Sequence, residues 1–172
     1  MTLLGNLHSR HLDTDLHQVW LDDENDVAVF PLWNFSGQMA GYHMYRPNKD
    51  KVLNNHPYEG RYFTKAGEAQ AVFWGIESWY LSNTLFLTEG LFDAARLTAR
   101  GVSAVALFAN NPKHHASWLR TLNRPVVAVC DAGKAGAKLA KYGTTSVTVP
   151  DEYGDVGDAP QSYVNDLVAM YK

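Results

Sequence analysis

Three short apolar runs, Leu85–Leu87, Val102–Leu107 and Val126–Cys130, constrain the fold of this chain more than any other feature. Each is nearly continuous rather than alternating, as a strand covered on both faces should be. Between them the spacing turns helical. Leu91–Gly101 follows the run Thr84–Gly90 and stops at Gly101, and Asn111–Asn123 offers Asn111 as an N-cap with Pro112 at the first helical position. Beyond Val126–Cys130, Ala135–Gly143 reads as a helix closing at Gly143, Thr144–Pro150 as a fourth strand and Ala159–Lys172 as a terminal helix. Strands and helices alternating through short connections predict an α/β fold, a parallel sheet flanked by helices.

The first half has another character. Asp26–Asn34 and Gln38–Arg46 alternate around Ser36-Gly37, a hairpin pattern, and Arg61–Ala66 and Ala71–Ile76 are two more strand-like pieces beyond a polar loop, Pro47–Gly60. The change falls near Thr84, which divides the chain into a β-rich part, 1–82, and an α/β part, 83–172. The acidic run Leu21–Asp26 reads as a solvated loop, and the histidine-bearing segment before it has no evident place.

Composition narrows the function classes. A net charge of −3 gives no overall basic field, although Lys49, Lys51, Arg61 and Lys65 cluster locally. No window approaches 18 uninterrupted apolar residues, and the first residues lack a basic stretch followed by an apolar run, so neither a membrane span nor a signal peptide is expected. Cys130 is the single cysteine, which excludes an internal disulfide and a multi-cysteine zinc site. The seven histidines show no ligand spacing. A cytoplasmic location is the expectation by elimination.

Open parallel sheets bind ligands at the carboxyl ends of their strands. Three acid-bearing turns fall there: Glu89, Asp131 and the loop holding Asp155 and Asp158. Each acid alone fits a helix cap. Gathered at one edge they would repel one another unless a cation neutralised them. Magnesium suits this, since it takes one or two carboxylates together with substrate phosphates. Gly90 and Gly133 leave room for close approach to the backbone. These residues point to a magnesium site for phosphoryl or nucleotidyl chemistry.

The stretches "LFLTEGLFDAARLTARGV", "VVAVCDAGKAGAKLA" and "YGDVGDAPQSYV" resemble a TOPRIM domain, the module of topoisomerases, primases and some nucleases. Glu89, Gly90 and Asp93 match its Glu-Gly motif, Asp131, Ala135, Gly136 and Ala140 its second motif, and Asp158, less directly Asp155, its later acid. The preceding "VAVFPLWNFSGQMAGYHMYRP" resembles the β-rich subdomain of bacterial and bacteriophage DNA primases, through Phe30-Pro31, Gly37 and Gly41 to Arg46. The resemblance implies primer synthesis in DNA replication with magnesium (or manganese), on single-stranded DNA and nucleotides, with a replicative helicase as a further partner. It implies Glu89 as metal ligand or general base, Asp131 as a direct ligand, and Asp155 and Asp158 completing the shell. Arg46 and Lys65 would contact nucleic acid or nucleotide, Gly90 would admit a phosphate, and Lys134 would meet one as a point charge. Asp93 would orient a ligand or favour the helix N-terminus. Tyr42, Tyr45, Tyr58 and Tyr62 are candidates for base stacking.

Two departures stand out. Gly133 occupies the place of the family's second acid, and the zinc-binding and helicase modules of primases are missing from these residues. A primase-like enzyme, a weakened TOPRIM protein that binds nucleic acid or a replication partner, and a TOPRIM nuclease therefore all stay open.

Overall fold

A computed structural model describes residues 1–51, 56–67, 71–109 and 111–172. Two four-stranded sheets form. The first is antiparallel, β1 (Trp20–Asp22), β2 (Val27–Trp33), β3 (Met39–Tyr45) and β4 (Tyr62–Ala66), in the order β1-β2-β3-β4. The second is parallel, β5 (Leu85–Thr88), β6 (Ser103–Ala106), β7 (Val126–Cys130) and β8 (Thr145–Thr148), in the order β6-β5-β7-β8. Every residue of β5, β6 and β7 is buried, which is why these runs are continuously apolar, whereas β8 is an edge strand with exposed Thr145 and Ser146.

Helix α1 (Leu3–Ser9) starts at Thr2, whose hydroxyl accepts from the Gly5 N–H at 3.1 Å, and it buries Leu3 and Leu7. Helix α2 (Leu91–Thr98) links β5 to β6, and α5 (Gln161–Tyr171) closes the chain. No helix among the described residues is long and apolar enough to cross a membrane. The other connections are tighter than the sequence predicts. The expected helix 111–123 contains a 3₁₀ turn at Lys113–His115 and one α turn, α3 (Ala116–Leu119); Asn111 caps nothing and instead accepts from the Tyr142 hydroxyl at 2.7 Å. The expected helix after Asp131 is α4 (Gly133–Gly136) followed by 3₁₀ turns at Ala137–Tyr142. Two glycines weaken helix propensity there, and Leu139 is the one buried side chain in the 3₁₀ stretch.

The hairpin β2–β3 turns where the sequence places it, with Gly37 at φ +74° and the Asn34 side chain accepting from the N–H groups of Ser36 and Gln38. The acidic run is not a free loop. Its first half is β1, paired with β2, and the reversal is held by Asp22, whose carboxylate accepts from Asn25. Ala71–Ile76 is likewise no strand. Phe73 exchanges two backbone hydrogen bonds with Trp33 of the antiparallel sheet, and the next residue, Trp74, exchanges two with Ala106 of the parallel sheet. One apolar cluster runs through both sheets, from Leu7, Phe30 and Leu32 through the fully buried Trp74 to Phe86, Leu97 and Val164.

The parallel order contains a reversal. From β5 the chain steps to β6 on one side, then crosses to β7 on the other, so the crevice between the ends of β5 and β7 is a topological switch point, where ligands bind in such sheets.

Candidate active site

Glu89 directly follows β5 and Asp131 directly follows β7, so the switch point carries an acid on each side. Both line a cavity of about 330 Å³, together with Asp155 from the loop before α5. The loops carrying these acids are tied: the Ala132 N–H donates to the Gly154 carbonyl at 2.7 Å, and Gly154 holds φ +77°. Asp155 is aimed by the Asp158 N–H, which donates to its Oδ1 at 2.8 Å. Two of these acids act on the third. Burial, then Glu89, then Asp155 lift Asp131 to about 6, against a partial opposing pull from Lys51. Burial also raises Glu89. Such mutual repulsion is what a bound cation would relieve.

Asp93, in the first turn of α2, lies deeper. Its Oδ1 accepts from the Gly157 N–H at 2.7 Å, and a Cβ on Gly90 would collide with its Oδ2, so Gly90 is required here for space. Burial, with Asp155 and Asp131 adding to it, pushes Asp93 up to about 8. It is therefore a neutral carboxyl near pH 7, a positioning residue that fastens the Asp155 loop to α2. The consequence for stability has a definite sign. Between about pH 4 and pH 8 folded Asp93 keeps a proton that the unfolded chain gives up, so its contribution is full below pH 4 and is lost as pH rises through 8. Asp93→Asn in chelator should leave the melting temperature near pH 4 unchanged, raise it at pH 8 and flatten the profile between; parallel wild-type and mutant profiles would contradict this.

The antiparallel sheet supplies the opposite wall: His43 of β3 and Tyr62 and Thr64 of β4, with Lys51 beyond them. His43 is buried and its Nδ1 shares a 2.8 Å hydrogen bond with Thr64 Oγ1; burial lowers it to about 4, so it is neutral at physiological pH. Arg10, just past α1, sets its guanidinium 3.9 Å over the Phe92 ring and donates to the Tyr62 hydroxyl at 3.2 Å.

The two-sheet architecture agrees with solved structures. The Aquifex aeolicus primase (zinc-binding and RNA polymerase domains) is similar with a TM-score of 0.61 and 19% identity, over 88% of this chain. The primase fragment of the bacteriophage T7 primase-helicase protein gives 0.58 and 15% over 88%, and a DnaG primase catalytic domain bound to single-stranded DNA gives 0.60 and 17% over 98%. The chain has the fold of a primase catalytic core. It spans 42%, 64% and 63% of those three chains. Neither a protein-family model nor a curated protein sequence matches it.

In this primase-like core the sequence-predicted site residues separate into two groups. Glu89, Gly90, Asp93, Asp131 and Asp155 meet at the cavity. Asp158, read from sequence ahead of Asp155, does not: it lines a neighbouring cavity with Arg10, His11 and Arg96, because three residues along a tight turn reverse the direction of a side chain. Arg46 is also outside, holding the 57–60 turn by donating to the Tyr58 carbonyl at 2.9 Å. Lys65 is exposed on β4, one residue from Thr64 and so on the other face. Lys134 is exposed on α4 and does not line the cavity. Gly133 has φ +87° and nothing within 4 Å of where a Cβ would stand. An aspartate there has room but costs about 1 kcal/mol of backbone strain. Of the four tyrosines only Tyr62 lines the cavity. Arg10, His43, Thr64 and Phe108 carry no signal in the sequence, whereas Lys51 enters through the local basic cluster and Tyr62 as a stacking candidate beside it.

Proposed function

We propose that this chain is a primase-like TOPRIM protein that joins nucleotides on a single-stranded DNA template. The supporting observation is the convergence of Glu89, Asp131 and Asp155, from three separate loops, on one cavity at the switch point, where Glu89 and Asp155 add to burial in raising the Asp131 pKa. Their hard carboxylate oxygens suit magnesium. Among the described residues no three such side chains come together as a metal-holding group; magnesium, which takes one or two carboxylates and keeps several waters, would need no more than two of them. Asp131 and Asp155 would hold it, with Glu89 beside them. Bound there, magnesium would neutralise charge developing on a transferring phosphoryl group. Glu89, whose pKa burial raises, is suited to take the proton from the attacking hydroxyl. Lys51, across the cavity, offers a point charge to a phosphate. The DnaG domain bound to single-stranded DNA supports the template class, and the T7 primase-helicase supports a helicase as partner.

A second reading, a binding module without polymerisation, is favoured by Gly133, which leaves the site one carboxylate short of the family motif. Labelled nucleotides, single-stranded DNA and magnesium or manganese distinguish the two. Primer-length product that vanishes with chelator is expected. Intact DNA binding with no product from either metal would select the second reading, and a gain of product in Gly133→Asp would identify the missing acid as the cause.

A further inference from the structure

Phe108 occupies a backbone conformation that its side chain opposes. Among the described residues three non-glycine residues have positive φ: His11 at 62°, Asp26 at 55° and Phe108 at 55°. Histidine and aspartate are enriched in that region, whereas a bulky aromatic residue there is an outlier. Such strain persists only where the surroundings impose it, and it clusters at functional sites. Here the imposing contacts are visible. Ladder-like hydrogen bonds run past the ends of the strands, with Leu107 N–H donating to the Thr88 carbonyl and Phe108 N–H to the Glu89 carbonyl, both at 3.0 Å. The hydrogen bond that fixes the backbone of Glu89 thus fixes Phe108 beside it.

The ring does not turn fully into the core. Phe108 is half-buried and lines the acid cavity, its centroid 4.8 Å from that of His43. His43 in turn stacks on Tyr62 at 6.0 Å with 23° between the planes. The cavity is therefore two-sided. One side is carboxylate, from Glu89, Asp131 and Asp155, and the other carries the rings of Phe108, His43 and Tyr62 beside Thr64, Arg10 and Lys51. A nucleotide has the same division, since its base has a π-face that stacks on aromatic rings and its phosphates need charge and metal.

We infer that Phe108 is a nucleobase platform, a binding residue that stacks one base while the attached phosphate faces the acids. This rests on the nucleotide-joining reading of the site for its choice of ligand. The base comes either from a free nucleoside triphosphate or from the single-stranded template, and affinity measurements separate these sources. Calorimetry with magnesium would compare ATP, inorganic tripolyphosphate and oligo(dT) binding to wild type, Phe108→Leu and Phe108→Tyr. Leucine keeps an apolar side chain and removes the π-face; tyrosine keeps both. Phe108→Gly, which accepts φ +55° without strain, replaces the leucine variant if that fails to fold.

Platform binding of a nucleotide base predicts that Phe108→Leu weakens ATP roughly ten-fold, spares tripolyphosphate, and is rescued by Phe108→Tyr. Roughly ten-fold weakening of oligo(dT) alone would place the template base there instead. Equal weakening of ATP and tripolyphosphate, no weakening of any ligand, or a wild type that binds neither ATP nor oligo(dT) would overturn the proposal. The catalytic reading fails separately: base-dependent affinity without primer synthesis leaves the platform standing, and primer synthesis with unaltered base affinity in Phe108→Leu removes the platform alone.

Discussion

Replacing Glu89 by glutamine is expected to reduce primer synthesis by about 10²–10⁴-fold, the range for loss of a general acid–base group, while single-stranded DNA binding persists. Glutamine is isosteric, and the hydrogen bond from Phe108 goes to the backbone carbonyl of residue 89, so the strand end should stay in place. The charge has a second role. After burial, Glu89 is the largest cause of the raised Asp131 pKa, so Glu89→Gln should bring Asp131 down toward the ordinary carboxylate range. A carbon-13 titration of Asp131 in metal-free protein reads this directly. Product formation unchanged in Glu89→Gln would remove Glu89 from the chemistry, and an unmoved Asp131 titration would show that the two carboxylates do not share a cavity.

Gly136→Ala is expected to be the most damaging single methyl in the chain. Gly136 has ordinary helical dihedrals, φ −61° and ψ −38°, so conformational freedom is not what glycine supplies there. Space is. A Cβ would collide with the Asp131 carbonyl oxygen and lie 2.7 Å from its carbonyl carbon and 2.9 Å from its nitrogen. These are backbone atoms at the end of a fully buried strand, with no rotamer to relieve the contact. The turn must shift and take the Asp131 carboxylate with it. Overpacking of this kind costs about 2–3 kcal/mol, or roughly 5–10 °C in melting temperature for a chain this long. Activity should fall further than stability accounts for, because Asp131 moves. Gly133→Ala is the contrast, with open space around its Cβ and only backbone strain to bear. Wild-type melting and wild-type product from Gly136→Ala would show that the turn yields easily.

The sequence carries the parallel sheet plainly because burial on both faces leaves β5, β6 and β7 apolar apart from Thr88 and Ser103 at their ends. It conceals Trp20–Asp22, a three-residue strand with every side chain exposed. It misleads at Ala71–Ile76, where apolar character comes from packing at a junction rather than from strand pairing. The acids are legible as strand-end residues, since position in the ladder fixes their location. The sequence reading puts Asp158 ahead of Asp155 whereas Asp155 lines the cavity, because two acids three apart in a loop carry no periodicity to tell which one faces it. Most of the opposite wall is hidden for a larger reason. His43, Thr64 and Arg10 reach the site only through the docking of one sheet against the other, which no local pattern encodes.

That docking includes one dipeptide, Phe73-Trp74, hydrogen-bonded to both sheets. Phe73 is bonded to the wall that carries His43 and Thr64 through its sheet partner Trp33, and Trp74 to the wall that carries the acids. Four backbone hydrogen bonds therefore set the gauge of the crevice, and widening it means breaking at least two of them beside the fully buried indole of Trp74. These bonds favour a crevice of fixed gauge over a hinged one. On the nucleotide-joining reading proposed above, a template strand would advance by its own motion, between jaws that keep their spacing.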